Sequence, residues 1–132
     1  MAKTERRRKT AAKAKPAKLP KTIETAVRAA EDKQAVDITV MDLANAQGFT
    51  DYFIICSGTN TRQIRAIADG IVDALKALGQ KPAHLEGYDR SEWVLVDYFD
   101  FVVHVFSPES RAFYGLERLW GNAEHIAVTP AP

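Results

Sequence analysis

Cysteine is nearly absent. Cys56 is the single one in 132 residues, so no disulfide can form within the chain. A secreted disulfide scaffold is excluded, and a cytoplasmic setting, or an organelle matrix, is expected. Long apolar runs are also lacking. The best candidate, Trp93 to Phe106, is cut by Asp97, Asp100 and His104, so no stretch suits a bilayer and no membrane partner is expected. Paired carboxylates are missing as well. Metal-dependent nucleotidyl transfer needs two acidic side chains on one strand face, two residues apart. No acidic residue here is followed two places later by another. Asp97 and Asp100 are three apart and flank a turn, where aspartate has an ordinary local role. No phosphate-binding lysine follows the lone turn glycine, Gly58. His84, His104 and His125 are scattered without zinc-ligand spacing. These absences argue against a metal enzyme, and neither a metal nor another cofactor is expected.

What is present begins with a charge asymmetry hidden in a net charge of +1. Residues 1–20 hold eight basic side chains against Glu5, a balance of +7. The remaining 10 basic and 16 acidic side chains leave residues 21–132 at −6. The arm has no aliphatic periodicity and contains Pro16 and Pro20, so it reads as a disordered basic arm with weak affinity for RNA. It has no apolar core segment and is not a secretory signal.

Thr22 is placed to cap a first helix whose apolar face is Ile23, Ala26, Val27 and Ala30. Val36, Ile38 and Val40 alternate with polar neighbours as a strand does. Asn45 to Gly48 reads as a turn, and Tyr52 to Cys56 as a central strand covered on both faces. Ile64, Ile67, Ala68, Ile71, Leu75 and Leu78 follow helical steps that Gly79 ends. A short strand over Pro82 to Glu86 and a polar loop over Gly87 to Glu92 come next. Trp93 to Tyr98 and Phe101 to Phe106 are joined so tightly at Phe99-Asp100 that they form an antiparallel hairpin. Ser107 and Pro108 start a last helix with Phe113, Leu116 and Trp120 as its core stripe, Gly121 as its stop and a frayed tail over 122–132. The expectation is one α/β domain over 21–121: a mixed sheet of about five strands with three helices, packed mainly on one side.

The stretch CSGTNTR, residues 56–62, joins a strand end, a glycine turn and a helix capped by Asn60 or Thr61. Such a turn suits a phosphate, but Arg62 at the helix start has the wrong sign for the dipole. It reads as a partner contact or a simple surface arginine. Cys56 ends a strand of Phe and Ile and reads as a small buried hydrophobe. His104, within Val-Val-His-Val-Phe, reads as a hydrogen-bonded sheet residue. What remains is a surface. The hairpin carries Trp93, Tyr98, Phe99, Phe101 and Phe106. Alternation puts Trp93, Leu95 and Asp97 on one face and Val94, Val96 and Tyr98 on the other. Helices on one side would leave Trp93 and Asp97 open, and rings beside acidic groups suit protein docking. Phe101 and Phe106 are assigned to the core.

The segments DYFIICSGTNTRQIRAIADGI and LEGYDRSEWVLVDYFDFVVHVFSPESRAFYGLERLW, within residues 22–121, resemble the Iojap or ribosomal silencing factor family. The motifs that carry the resemblance are Thr50 to Thr59, Glu86-Gly87, Trp93 to Asp97, Val103 to Val105, Glu109 to Arg111 and Leu116 to Trp120. Phe99 departs from it, the family commonly having glycine there. The resemblance implies a nucleotidyltransferase-like fold without catalysis. It further implies binding to ribosomal protein L-fourteen on the large ribosomal subunit, a block on joining of the small subunit, and repression of translation when nutrients are short. It also implies a homodimer when free. An acidic domain suits a basic ribosomal partner. Together these readings name Trp93, Asp97, Tyr98, Arg62 and Arg111 as partner contacts. The alternatives are a nucleotide-binding or nucleotidyltransferase-like enzyme and, resting on the arm alone, an RNA-binding module.

Overall fold

Tyr52–Ser57 is apolar at nearly every position because it lies between two layers. In a computed structural model that describes residues 19–43, 50–119 and 124–127, this strand, β2, sits inside a six-stranded sheet of order β3-β4-β5-β2-β1-β6. The other strands are β1 (Val36–Asp42), β3 (His84–Glu86), β4 (Trp93–Asp97), β5 (Phe101–Phe106) and β6 (Glu124–Ala127). β2 runs parallel to β5, and the other neighbours are antiparallel. The mixed α/β sheet and the β4–β5 hairpin are as expected.

One face is covered by α1 (Lys21–Asp32) and α2 (Thr61–Ala77). Ile23, Ala26, Val27 and Ala30 of α1 and Ile64, Ile67, Ile71 and Leu75 of α2 are buried with Val40, Ile54, Cys56, Val94, Val96, Val103 and Val105. Each large aliphatic side chain here contributes about 1.5–3 kcal/mol by leaving water. On the other face Met41, Leu43, Phe53, Ile55, Val102 and Phe106 form a smaller cluster, with Trp93, Leu95 and Leu116 packed against it. Among the described residues that face carries two short helices, α3 (Pro108–Tyr114) and α4 (Leu116–Leu119). None of the described helices is long and apolar enough to cross a membrane.

Several local expectations hold. Asn60 caps α2, its side chain accepting the Gln63 N–H at 2.8 Å. Gly79 ends that helix at φ +83°. Ser107 caps α3 by accepting from Ser110 N at 3.1 Å, and Pro108 follows at the first helical position.

Others need correction. Thr22 is not the cap of α1. Pro20, extended at φ −54° and ψ 150°, takes that position, and its carbonyl accepts from Glu24 N at 3.0 Å. Leu19 packs against the core, so the folded unit reaches two residues into the expected arm. The last helix is not continuous. Gly115 adopts the left-handed conformation, at φ 57°, and ends α3. The apolar stripe read through that break holds only in part: Leu116 packs against the smaller core cluster, whereas Phe113 is 78% exposed. Within the stretch expected as a frayed tail, Glu124–Ala127 pairs with β1 as a sixth strand. Its backbone ladder has no signature in an Ala- and Pro-containing composition. The arm over 1–18, the turn at Asn45 to Gly48, Trp120 and Gly121 lie outside the described residues.

Candidate docking site

The hairpin register decides which side chains meet on the thinly covered face. Trp93 pairs with Phe106, Leu95 with His104 and Asp97 with Val102. These six point away from α1 and α2, while Val94, Val96 and Tyr98 point toward them. Trp93 is half-buried. Its ring stacks on Phe106, centroids 4.9 Å apart, and meets Tyr114 of α3 at 4.5 Å. Its indole N–H donates to His104 Nδ1 at 3.0 Å. Beside the ring runs an open groove of about 310 Å³ lined by Gly87, Arg90, Glu92, Trp93, Ser110 and Tyr114.

The groove wall is the polar loop after β3, and α2 holds it in place. Arg65 Nε donates to Ser91 Oγ at 2.8 Å and its Nη2 to the Asp89 carbonyl at 2.6 Å. Its guanidinium lies 5.7 Å from the Tyr88 ring centroid. Gly87, at φ +80°, lies so close to the Trp93 carbonyl that no side chain fits there. That is the physical need behind the Glu86-Gly87 pair.

His104 lies at the N–H edge of the tryptophan, buried, with Phe53 edge-on at 4.6 Å. Burial lowers its pKa to about 4, so the ring is neutral. Since Nδ1 accepts, the proton is on Nε2, which has no partner. The expectation of a hydrogen-bonded sheet histidine is met on one nitrogen only. Cys56 is buried on the opposite face, and burial pushes its thiol up to about 12. The sheet therefore separates it from His104, and the two make no nucleophile–base pair.

The five expected contacts fall in different places. Trp93 is reachable from the groove. Asp97 shares its strand face but is used in the turn, where its Oδ1 accepts the Phe99 N–H at 2.8 Å. Tyr98 is 6% exposed, stacked on Phe101 and packed on the α1–α2 side. Its hydroxyl is unpartnered, and burial raises its pKa to about 12. It belongs to the core and is not presented to a partner. Arg62 is exposed in the first turn of α2. Arg111 is largely buried and turned inward. It donates to Ser57 Oγ at 3.0 Å and Thr39 Oγ1 at 3.4 Å, and pairs with Glu117 at 2.9 Å. It ties α3 and α4 to β1 and β2, and its charge is met by a carboxylate.

Trp93, Arg111 and Arg62 lie toward one end of the sheet, because Trp93 pairs with Phe106 and Phe106 with Ser57. Asp97 and Tyr98 lie toward the other. Phe101 and Phe106 are core, as expected. Sequence reasoning missed Tyr114, Arg65 and the role of His104. The histidine was within reach, since a turn at Phe99-Asp100 already sets the register that puts it diagonal to Trp93. Tyr114 was hidden by the unread break at Gly115.

A family model described as "Ribosomal silencing factor during starvation" matches residues 16–132. A Bacillus subtilis protein named as a ribosomal silencing factor is 43% identical over 101 residues, covering 76% of this chain and 86% of that one. A mouse protein named for mitochondrial assembly of the ribosomal large subunit is 36% identical over 101 residues, 74% of this chain and 44% of its own length. The solved structure of a Chromobacterium violaceum protein superposes with a TM-score of 0.74 at 35% identity. It covers 83% of this chain and 92% of that one.

Proposed function

Because this chain belongs to the ribosomal silencing factor family, we propose that it binds the large ribosomal subunit through ribosomal protein L-fourteen. We propose further that it silences translation by blocking the joining of the small subunit. The observation that carries this reading is the family match over 16–132, which takes in all the described strands and helices. The geometry supports a docking role for the Trp93 face. That face has a half-exposed tryptophan, a neighbouring tyrosine and an open groove, the ingredients of an aromatic anchor with a polar rim. The domain's charge of −6 favours a basic partner and speeds encounter.

The action is steric and needs no turnover. Cys56 is inert in the core, and the turn at Ser57 and Gly58 is occupied by structure. Arg111 holds Ser57 Oγ at 3.0 Å, and Gly58 sits so close to Ile64 that an added Cβ would lie 2.8 Å from its side chain. An occluding protein saturates at about one copy per large subunit. A catalyst would inactivate many subunits per copy with time.

A light-scattering assay of subunit association, titrated with the protein and without nucleotide, tests this. Joining should fall stoichiometrically and independently of incubation time. In parallel, Trp93→Ala should weaken binding to purified large subunits by about 2 kcal/mol or more. Substoichiometric, time-dependent or ATP-requiring inhibition would overturn the exclusion mechanism. Full binding by the alanine variant would move the docking site elsewhere.

A further inference from the structure

Among the described residues, two buried side chains hold a polar atom without a partner: Tyr98 at its hydroxyl and His104 at Nε2. Tyr98 is stacked on Phe101 in the helix-side core, on the face away from the groove. His104 differs, because its other ring nitrogen accepts from Trp93, a half-buried side chain that lines the groove. An uncharged aliphatic residue at this position would pack among Phe53, Trp93 and Phe106 without the orphan Nε2, and would leave only the half-buried indole N–H of Trp93 to turn to water in the groove. A buried imidazole is therefore costly for the fold, and what it supplies is an acceptor for the indole N–H.

We propose that His104 is a positioning residue, holding the Trp93 indole in the orientation that the docking face presents. This rests on the docking reading given above. The ring is fixed from three sides: Phe106 stacks beneath it, Tyr114 closes one flank, and the Nδ1 acceptor sets its rotation about the side-chain axis. Stacking and flank contacts restrict the plane of the ring. They do not distinguish the two ways an indole can lie in that plane, whereas a hydrogen bond to Nε1 selects one. A pre-set ring spares the complex the entropy of ordering it on binding.

The test uses His104→Leu and His104→Asn in full-length protein carrying Trp120→Phe, so that Trp93 is the single indole of the two in the chain. The leucine removes the acceptor. The asparagine keeps an acceptor oxygen where Nδ1 stands. Three quantities are read: the melting temperature, the Trp93 indole N–H resonance with its hydrogen exchange, and the affinity for purified large subunits. His104→Leu should leave the melting temperature unchanged or raise it. The indole proton should lose protection and binding should weaken about tenfold. His104→Asn should restore both protection and binding. The proposal is overturned if His104→Leu binds as the parent does while its indole is unprotected, or if binding falls only in step with the melting temperature. It is equally overturned if asparagine restores protection but not affinity. If the parent protein itself fails to bind large subunits, the docking reading falls. The indole resonances of the two variants then decide whether His104 holds the ring at all.

Discussion

His104 is neutral because it is buried, and this has a consequence for stability. Its folded pKa, about 4, lies below the ordinary 6.5. Between those values the unfolded chain binds the extra proton and the folded chain does not. Acidification therefore favours unfolding. The contribution is fully present above pH 6.5 and is lost as pH falls toward 4, amounting to about 3 kcal/mol. Denaturant unfolding at pH 7 and pH 4.5 should show a larger loss for the parent than for His104→Leu, which has no imidazole to charge. Equal losses would mean that the ring is solvated in solution. Arg111 makes a second point at this scale. As a surface contact it would be cheap to remove. As a tie to Ser57, Thr39 and Glu117 it is not. Arg111→Ala should cost about 1–3 kcal/mol, since it removes the largely buried donor that the Glu117 carboxylate and the two hydroxyls share. Thermal unfolding reads this directly, and an unchanged midpoint would return Arg111 to the list of free partner contacts.

Among the elements, the β4–β5 turn shows how a departure from the family pattern is accommodated. Phe99 has φ 71°, a conformation natural to the glycine commonly found there. The turn is kept by the Asp97 carboxylate on the Phe99 N–H and by the Thr50 hydroxyl, which donates to the Phe99 carbonyl at 2.7 Å. The phenyl ring, 69% exposed, returns little burial energy. Phe99→Gly should therefore stabilise the domain by about 1 kcal/mol. A lower midpoint for the glycine variant would show that the ring packs on something that these contacts do not include. The last helix is the contrary case. Its cap and its proline were readable as local chemistry, whereas its length was not. Gly115 could have sat inside a helix at modest cost, and the break goes with contacts on either side of it: Tyr114 on Trp93, Leu116 on the smaller core cluster and Arg111 on Glu117.

For the whole molecule the separation of charge matters most. The expected basic arm carries +7 within residues 1–20, against −6 for the rest. Leu19 and Pro20 belong to the folded unit, so the informative truncation removes residues 1–18. It should leave the melting temperature almost unchanged and reduce ribosome affinity chiefly at low salt, because exposed charge contacts are screened as salt rises. A pull-down across a salt series measures this. Complete loss of binding in moderate salt would make the arm the principal contact and displace the Trp93 face.

Much of this was decided locally and could be read from the chain. The alternation in β4, the unbroken apolar run of β2, the three-and-four spacing of α2 and the Asn60 and Ser107 caps each depend on residues a few positions apart. So did the family motifs and the lack of carboxylates at strand spacing. What the chain alone could not determine depends on partners distant in sequence. Whether Arg111 faces solvent or Ser57 is settled across 54 residues. Whether Glu124–Ala127 is tail or strand is settled by β1, some 80 residues earlier in the chain. Whether Trp93 is a loose ring or a held one is settled by a histidine on the neighbouring strand and a tyrosine beyond it. Side-chain periodicity reports which face is buried. It carries no information about which group, brought in by the fold, satisfies a particular donor or charge, and the Trp93 face proposed for docking is built from such pairings.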